Sequence, residues 1–359
     1  MSIEKIDTNF QIESSLGIDG IKWYPVNEEY FDIFGVNRTE NGFVRMDEEA
    51  AKRVSEEVAS LNYNTSGGRF VFETDANYIA LKMKGENSGM SHMTLVGSSG
   101  FDMYVDEGDG FFHFNIFPPK WKFNNEYECL VEFEKNRHYK HLYKYMKRKV
   151  MIYFPLYNNV SEVFIGIPET AILEKYNPYD KPPVVYYGSS ITQGGCASRP
   201  GHNYPAIVSR KLNHDFLCLG FSGSAHGETA MAEYISKLDM SAFVYDYDSN
   251  DCDNPELLRE RHFRFYDIIR EKNKDIPVIF MSHHFSPRFE WLLEESRKVV
   301  MESFNKAKER GDNVYFIDGK KIFEGEFYDC CTVDGLHPND YGFVKMADAL
   351  IKTFKGEVK

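Results

Sequence analysis

The sequence has no run of 18 apolar residues, no CxxC pair and no excess of basic side chains, and each shortage removes a class of function. Without such an apolar run, a membrane-spanning helix is not expected. The opening Met1-Ser2-Ile3-Glu4-Lys5-Ile6-Asp7 has neither a basic n-region nor an apolar h-region, so a soluble, cytoplasmic protein is expected. Acidic residues outnumber basic ones, 55 to 42, and the formal charge of −13 opposes nucleic acid or an anionic membrane as the main partner. The six cysteines, Cys129, Cys196, Cys218, Cys252, Cys330 and Cys331, carry no disulfide or zinc spacing, and free thiols in a reducing compartment are expected. Helical periodicity is scarce too, up to about residue 178. Only Glu48 to Leu61 shows it, with Ala50, Ala51, Val54, Val58 and Leu61 on one face, read as a short surface helix.

A length of 359 residues exceeds what one core usually organises, so two domains are expected. Aromatic content is high, with 29 Phe and 23 Tyr, which suits a β-rich region or a site for ring-shaped ligands. Short runs at Phe70–Thr74, Tyr78–Met83, Met93–Val96, Phe101–Val105, Tyr127–Phe133 and Val163–Ile167 are separated by Gly, Asn, Asp and Ser. They read as an all-β sandwich of jelly-roll type over residues 1–178. Gly97-Ser98-Ser99-Gly100 lies between two of these runs and is expected to be a hairpin turn. The basic and aromatic stretch 135–149 reads as an exposed hairpin or edge extension.

Tyr176-Asn177-Pro178-Tyr179-Asp180-Lys181-Pro182-Pro183 cannot continue a helix or a central strand, and the boundary is placed there. Residues 179–359 then alternate strands at 184–188, 216–219, 242–245, 277–281 and 314–317 with helices near 202–213, 227–238, 255–272 and 341–354. The pattern predicts a doubly wound α/β domain: a five-stranded parallel sheet between two helical layers.

Four strand-end segments of this second half carry chemistry. Val184-Val185-Tyr186-Tyr187-Gly188-Ser189-Ser190 is a strand that delivers two serines into a turn before a helix, either as nucleophile candidates or as helix caps. Gly220-Phe221-Ser222-Gly223-Ser224 exposes backbone N–H groups suited to an oxyanion. Asp246-Tyr247-Asp248-Ser249-Asn250-Asp251 offers an amide at Asn250; as a calcium loop it fails, because Asp251 stands where Gly is needed and Leu257 where Glu is needed. In Asp334-Gly335-Leu336-His337 the acid lies three residues before the imidazole it could orient.

In this order the segments resemble the SGNH or GDSL hydrolase superfamily, and Gly100-Phe101-Asp102-Met103-Tyr104 upstream resembles the GxDLY-type β domain of one subgroup. The resemblance implies a flavodoxin-like three-layer α/β/α hydrolase domain behind an N-terminal β domain. It implies Ser190 as nucleophile, His337 as general base and acid, and Asp334 as its orienting partner. The oxyanion donors would be the N–H groups of Ser190 and Gly223 and the side-chain amide of Asn250. Ser189 replaces the aspartate usual before the nucleophile, and Asp248 stands where the family more often has glycine. Arg199, His283, His284 and Asp248 are candidate substrate contacts, each balanced by a structural reading, and Cys196 reads first as a small buried residue. No metal or cofactor is expected. The expected activity is that of a serine esterase removing a short O-acyl group, acetyl by preference, from a carbohydrate or polyol. The expected partner is a small-molecule or oligosaccharide ester, with homo-oligomerisation left open. A GDSL-type lipase, lysophospholipase or acyl thioesterase is the alternative, and a non-catalytic glycan-binding protein the further one.

Overall fold

The computed structural model describes residues 14–86, 89–106, 108, 110–121, 125–133 and 147–357. The basic stretch singled out above lies outside them except for residues 147–149.

The N-terminal part is built from antiparallel sheets. One runs in the order Ile21–Pro25, Val160–Pro168, Tyr78–Gly85, Glu126–Glu132; the other in the order Leu173–Lys175, Arg69–Thr74, Arg148–Tyr153, Phe101–Asp106, Phe112–Phe117, with Asp32–Phe34 added on Arg69–Thr74. Strand side chains alternate in direction, and the second sheet is apolar on both sides. Phe70, Phe72, Phe101, Met103, Val105, Val150 and Ile152 enter the sandwich core with Ile79, Leu81, Val163 and Ile165 of the first sheet. Val71, Tyr104, Met151 and Tyr153 point the other way and pack with Tyr186, Ile191, Tyr204 and Cys218 of the C-terminal half. Two buried arginines deepen this junction. Arg45 donates to the carbonyls of Cys218 and Gly220, and Arg69 to the carbonyl of Phe216 and the carboxylate of Asp215.

From Val184 onward the chain forms a flavodoxin-like α/β/α domain. Its five parallel strands stand in the order Phe216–Gly220, Val184–Gly188, Ala242–Asp246, Val278–Met281, Val314–Ile317. Alternate residues serve opposite layers. Tyr186, Val244 and Ile279 meet Tyr204–Leu212 and Asp340–Phe354, while Tyr187, Tyr245 and Phe280 meet Thr229–Ile235, Pro255–Lys272 and Glu290–Glu309. No described helix is long and apolar enough to cross a membrane.

Two expectations need correction. The region 48–61 is helical at the surface but not one helix: it is two short ones, Glu48–Val54 and Glu56–Leu61, divided where Ser55 turns extended and caps the second with its hydroxyl on Val58 N–H. Ala50, Ala51 and Val58 are buried beside Met231, Ala232 and Ile235. Residues 93–100 are not a strand and hairpin turn either. Thr94 caps a one-turn helix, Leu95–Ser99, accepting from Gly97 N–H at 2.9 Å. The apolar Leu95-Val96 pair mimics a strand, but a Thr cap followed by small residues favours the turn of helix.

Candidate active site

The first parallel strand ends at Gly188, where a Cβ would collide with the Asp246 carboxyl and the Thr192 hydroxyl. Only glycine lets the chain pass this point and enter the helix Ser190–Gln193. Ser189 is buried and caps that helix, its hydroxyl accepting from Ile191 N–H at 3.2 Å. Ser190 is the first helical residue, so its own N–H has no intrahelical acceptor. The Tyr157 hydroxyl, from the N-terminal half, donates to the Ser190 carbonyl at 3.2 Å.

The Ser190 hydroxyl lies 3.0 Å from His337 Nε2, and His337 Nδ1 lies 2.8 Å from Asp334 Oδ2. The carboxylate also accepts from Leu336 N–H at 2.9 Å and His337 N–H at 2.7 Å through its other oxygen. Partial burial pushes the Asp334 carboxyl upward, but the His337 backbone N–H, the His337 ring and the Leu336 N–H outweigh it and bring the pKa to about 2. An ionised Asp334 facing Nδ1 keeps the Nδ1–H tautomer, which leaves Nε2 as the acceptor of the serine proton.

At the end of the second strand, Gly223 adopts φ +64° with nothing within 4 Å of where a side chain would start, and the loop is held by Ser222 N–H on Gln193 Oε1 at 3.0 Å. Asn250 arrives at the same loop, but its amide Nδ2 donates to the carbonyls of Phe221 and Ala225, each at 3.2 Å. In this arrangement Asn250 braces the loop.

The candidate substrate contacts are placed elsewhere. Arg199 is engaged by the N-terminal sheet: Nη1 lies 3.0 and 2.8 Å from the two Asp102 oxygens and 2.6 Å from the Tyr104 hydroxyl, and Gly201 N–H donates to Asp102 at 2.9 Å. This gives the Gly-x-Asp-x-Tyr stretch a structural task, that of holding the loop after the helix Ser190–Gln193. Asp248 is buried and turned away, accepting from His283 N–H at 2.9 Å; burial pushes its carboxyl up to about 6, with that bond acting against the shift. His283 and His284 are buried as well. His284 Nε2 lies 2.7 Å from the Leu336 carbonyl and the Ser286 hydroxyl donates to the Gly335 carbonyl, so this pair of residues positions the loop that carries Asp334 and His337. Burial lowers the His284 ring to about 4, leaving it neutral with one N–H to give. Asp248, His283 and His284 lie just past strand ends, which is also where the backbone of neighbouring loops must be tied down.

One residue that the sequence did not single out is His92, from the N-terminal half. Its ring centroid is 5.6 Å from that of His337. It sits beside buried Cys196 on a cavity of about 580 Å³ that also includes Ser91, Thr94, Ser198 and Asn339. A single histidine just ahead of a stretch that looks like a strand carries no local signal. The Cys196 thiol is not a rival nucleophile, because burial, then the Asp334 carboxylate, pushes it up to about 12.

Residues 181–355 match the GDSL-like lipase/acylhydrolase family, and residues 21–173 match the GxDLY N-terminus of SGNH-hydro-type esterases. No curated protein matches the chain. Among solved structures, a Bacteroides ovatus protein assigned as a GDSL-like lipase is 27% identical, covers 94% of this chain and 96% of its own, and has a TM-score of 0.80. The salicylyl-acyltransferase of a tetracycline biosynthetic pathway is 19% identical over 95% of this chain and 98% of its own, at a TM-score of 0.76. A family two carbohydrate esterase from Clostridium thermocellum, in complex with cellohexaose, is 17% identical over 81% of this chain and 93% of its own, at 0.56. The last two share the fold.

Proposed function

We propose that this chain, which belongs to the GDSL-like lipase/acylhydrolase family through residues 181–355 and carries a GxDLY N-terminus, is a serine esterase that removes a short O-acyl group, acetyl by preference, from a carbohydrate or similar polyol. The observation that carries the reading is the hydrogen-bonded chain Ser190–His337–Asp334, at 3.0 and 2.8 Å. The Ser190 hydroxyl attacks the ester carbonyl while its proton passes to His337 Nε2. The developing oxyanion takes the N–H groups of Ser190 and Gly223, and the Asn250 amide, held by two long bonds, exchanges one carbonyl for it. His337 then protonates the leaving alcohol, water repeats the sequence on the acyl-serine, and Asp334 holds the ring in one tautomer throughout.

The leaving group is inferred from the cavity beside His337. Its volume of about 580 Å³ accommodates a sugar ring, and Ser91, Asn339 and Asp340 on its wall bring hydroxyl, amide and carboxylate groups to one. The six cysteines are all unpaired, which supports a reducing, cytoplasmic setting. The same fold serves an acyltransferase and a carbohydrate esterase, so the fold leaves the acyl acceptor to the site.

The test is acetate release from a panel of acetylated sugars, set beside hydrolysis of p-nitrophenyl acetate and octanoate. Acetate release with acetyl preferred over octanoyl is expected. Preference for octanoyl, or turnover of acyl thioesters without sugar esters, would replace this reading with a lipase or thioesterase.

A further inference from the structure

The cluster of His92, Cys196 and His337 has no part in the chemistry just described beyond His337 itself, yet it is the ligand set of a soft or borderline metal ion. Each residue offers one ligand atom, and the three atoms lie within 4.8 Å of one another. A tetrahedral zinc site holds sulfur at ~2.3 Å and nitrogen at ~2.0–2.1 Å, which puts ligand atoms roughly 3.5 Å apart. His92 is half-buried and borders the cavity, so its ring has room to turn toward the other two ligands. The cavity also gives the ion an entry path and room for a water at the fourth position.

We propose that His92, Cys196 and His337 form an inhibitory site for Zn²⁺ or a similar thiophilic divalent ion, with the catalytic imidazole as one of its ligands. The two nitrogens of the His337 ring are both committed, one to Ser190 and the other to Asp334. Whichever of them the ion takes, a hydrogen bond of the triad is lost, so occupancy and catalysis exclude each other. Cys196 binds as thiolate and gives its proton to solvent. A hard ion such as Mg²⁺ or Ca²⁺ has no affinity for this nitrogen and sulfur set. Two of the ligands lie on the catalytic domain and the third, His92, on the N-terminal half, so the site exists only where the two halves meet. Binding stands independently of the esterase reading; only its inhibitory consequence rests on that reading.

The experiment has two arms on the full chain. In the first, Zn²⁺ is titrated against p-nitrophenyl acetate hydrolysis by wild type, His92→Gln and Cys196→Ser. Wild type is expected to be inhibited and restored by EDTA. Each variant is expected to need at least about tenfold more Zn²⁺ than wild type to halve its own uninhibited rate, the scale of loss that follows even from removing an outer-shell partner. In the second, Co²⁺ is added to Ser190→Ala protein, which has no turnover to read. A thiolate-to-cobalt charge-transfer band is expected, lost in Ser190→Ala/Cys196→Ser and weakened in Ser190→Ala/His92→Gln. His92→Gln alters a half-buried side chain and keeps the test valid should Cys196→Ser fold poorly. Wild type untouched by millimolar Zn²⁺, equal inhibition of all three proteins, or a cobalt spectrum without the thiolate band would each overturn the site. A cobalt band together with a wild type that hydrolyses no ester would keep the site and remove the esterase reading.

Discussion

The molecule contains the tripeptide Gly-Ser-Ser twice, at Gly97-Ser98-Ser99 and at Gly188-Ser189-Ser190, and the two copies have opposite fates. Both glycines are close-approach positions: a Cβ at Gly97 would strike the Ala197 carbonyl, and one at Gly188 would strike Asp246 and Thr192. Beyond that they diverge. The first copy ends a one-turn helix, where both hydroxyls are fully buried, Ser98 bonding to the Leu95 carbonyl at 3.4 Å and to Ser99 at 3.1 Å. The second copy begins a helix at the end of a parallel strand, where Ser190 has an imidazole 3.0 Å away. A serine becomes a nucleophile through the base that faces it, and the tripeptide itself only supplies the turn. The first copy also touches the loop that follows the second. Gly97 packs on Ala197, and Thr94 donates to the Ser198 carbonyl at 2.5 Å, so the first turn seats the loop that follows the second.

That contrast can be broken at several points. The largest effect is expected from Ser190→Ala, a fall in kcat of about 10⁴-fold or more on p-nitrophenyl acetate, against less than about tenfold for Ser99→Ala, which removes only a buried hydroxyl pair. Comparable losses in both would show that the first copy takes part in the chemistry. A smaller effect is expected where the two turns are joined. Arg199→Ala leaves buried Asp102 with the Gly201 N–H, His113 and the charge of Arg210, which should cost about 3 kcal/mol in urea unfolding, toward the low end for a broken buried pair. The smallest is an acid effect. Burial pushes the Asp340 carboxyl up, but His202 and Ser198 outweigh it and hold the pKa near about 2. Because the folded value lies below the ordinary 3.8, the unfolded chain binds the proton first. The resulting stability is present above pH ~4 and lost as pH falls toward ~2. Asp340→Asn should flatten urea midpoints across that window, and an unchanged acid slope would remove the Asp340 tether from the account.

The readability of the sequence differed along the same line as the two turns. The parallel sheet was legible because its strands are continuous apolar runs alternating with helical patterns, and the helix Pro255–Lys272 has the bounds that its periodicity predicts. In the N-terminal half, Arg148–Tyr153 was hidden at the end of a basic stretch, and Phe112–Phe117 by polar residues among its aromatics. Both lie in the sheet that packs on two sides, where strict alternation of apolar and polar residues is lost. Within the site, Asp334 and His337 were legible because both sit in one short loop. His92 and the Arg199–Asp102 clamp were not, since each depends on residues about 100 or more positions apart meeting across two packed halves, which no local pattern records.

The central claim is that Ser190, and no other hydroxyl or thiol, carries the acyl group. It is tested most directly by quenching the enzyme in acid during turnover of p-nitrophenyl acetate and locating the added acetyl by mass spectrometry of its peptides. The account predicts one acetyl on Ser190, absent from the Ser190→Ala protein. Acetyl on Ser98, Ser99, Ser189 or Cys196 instead would contradict it.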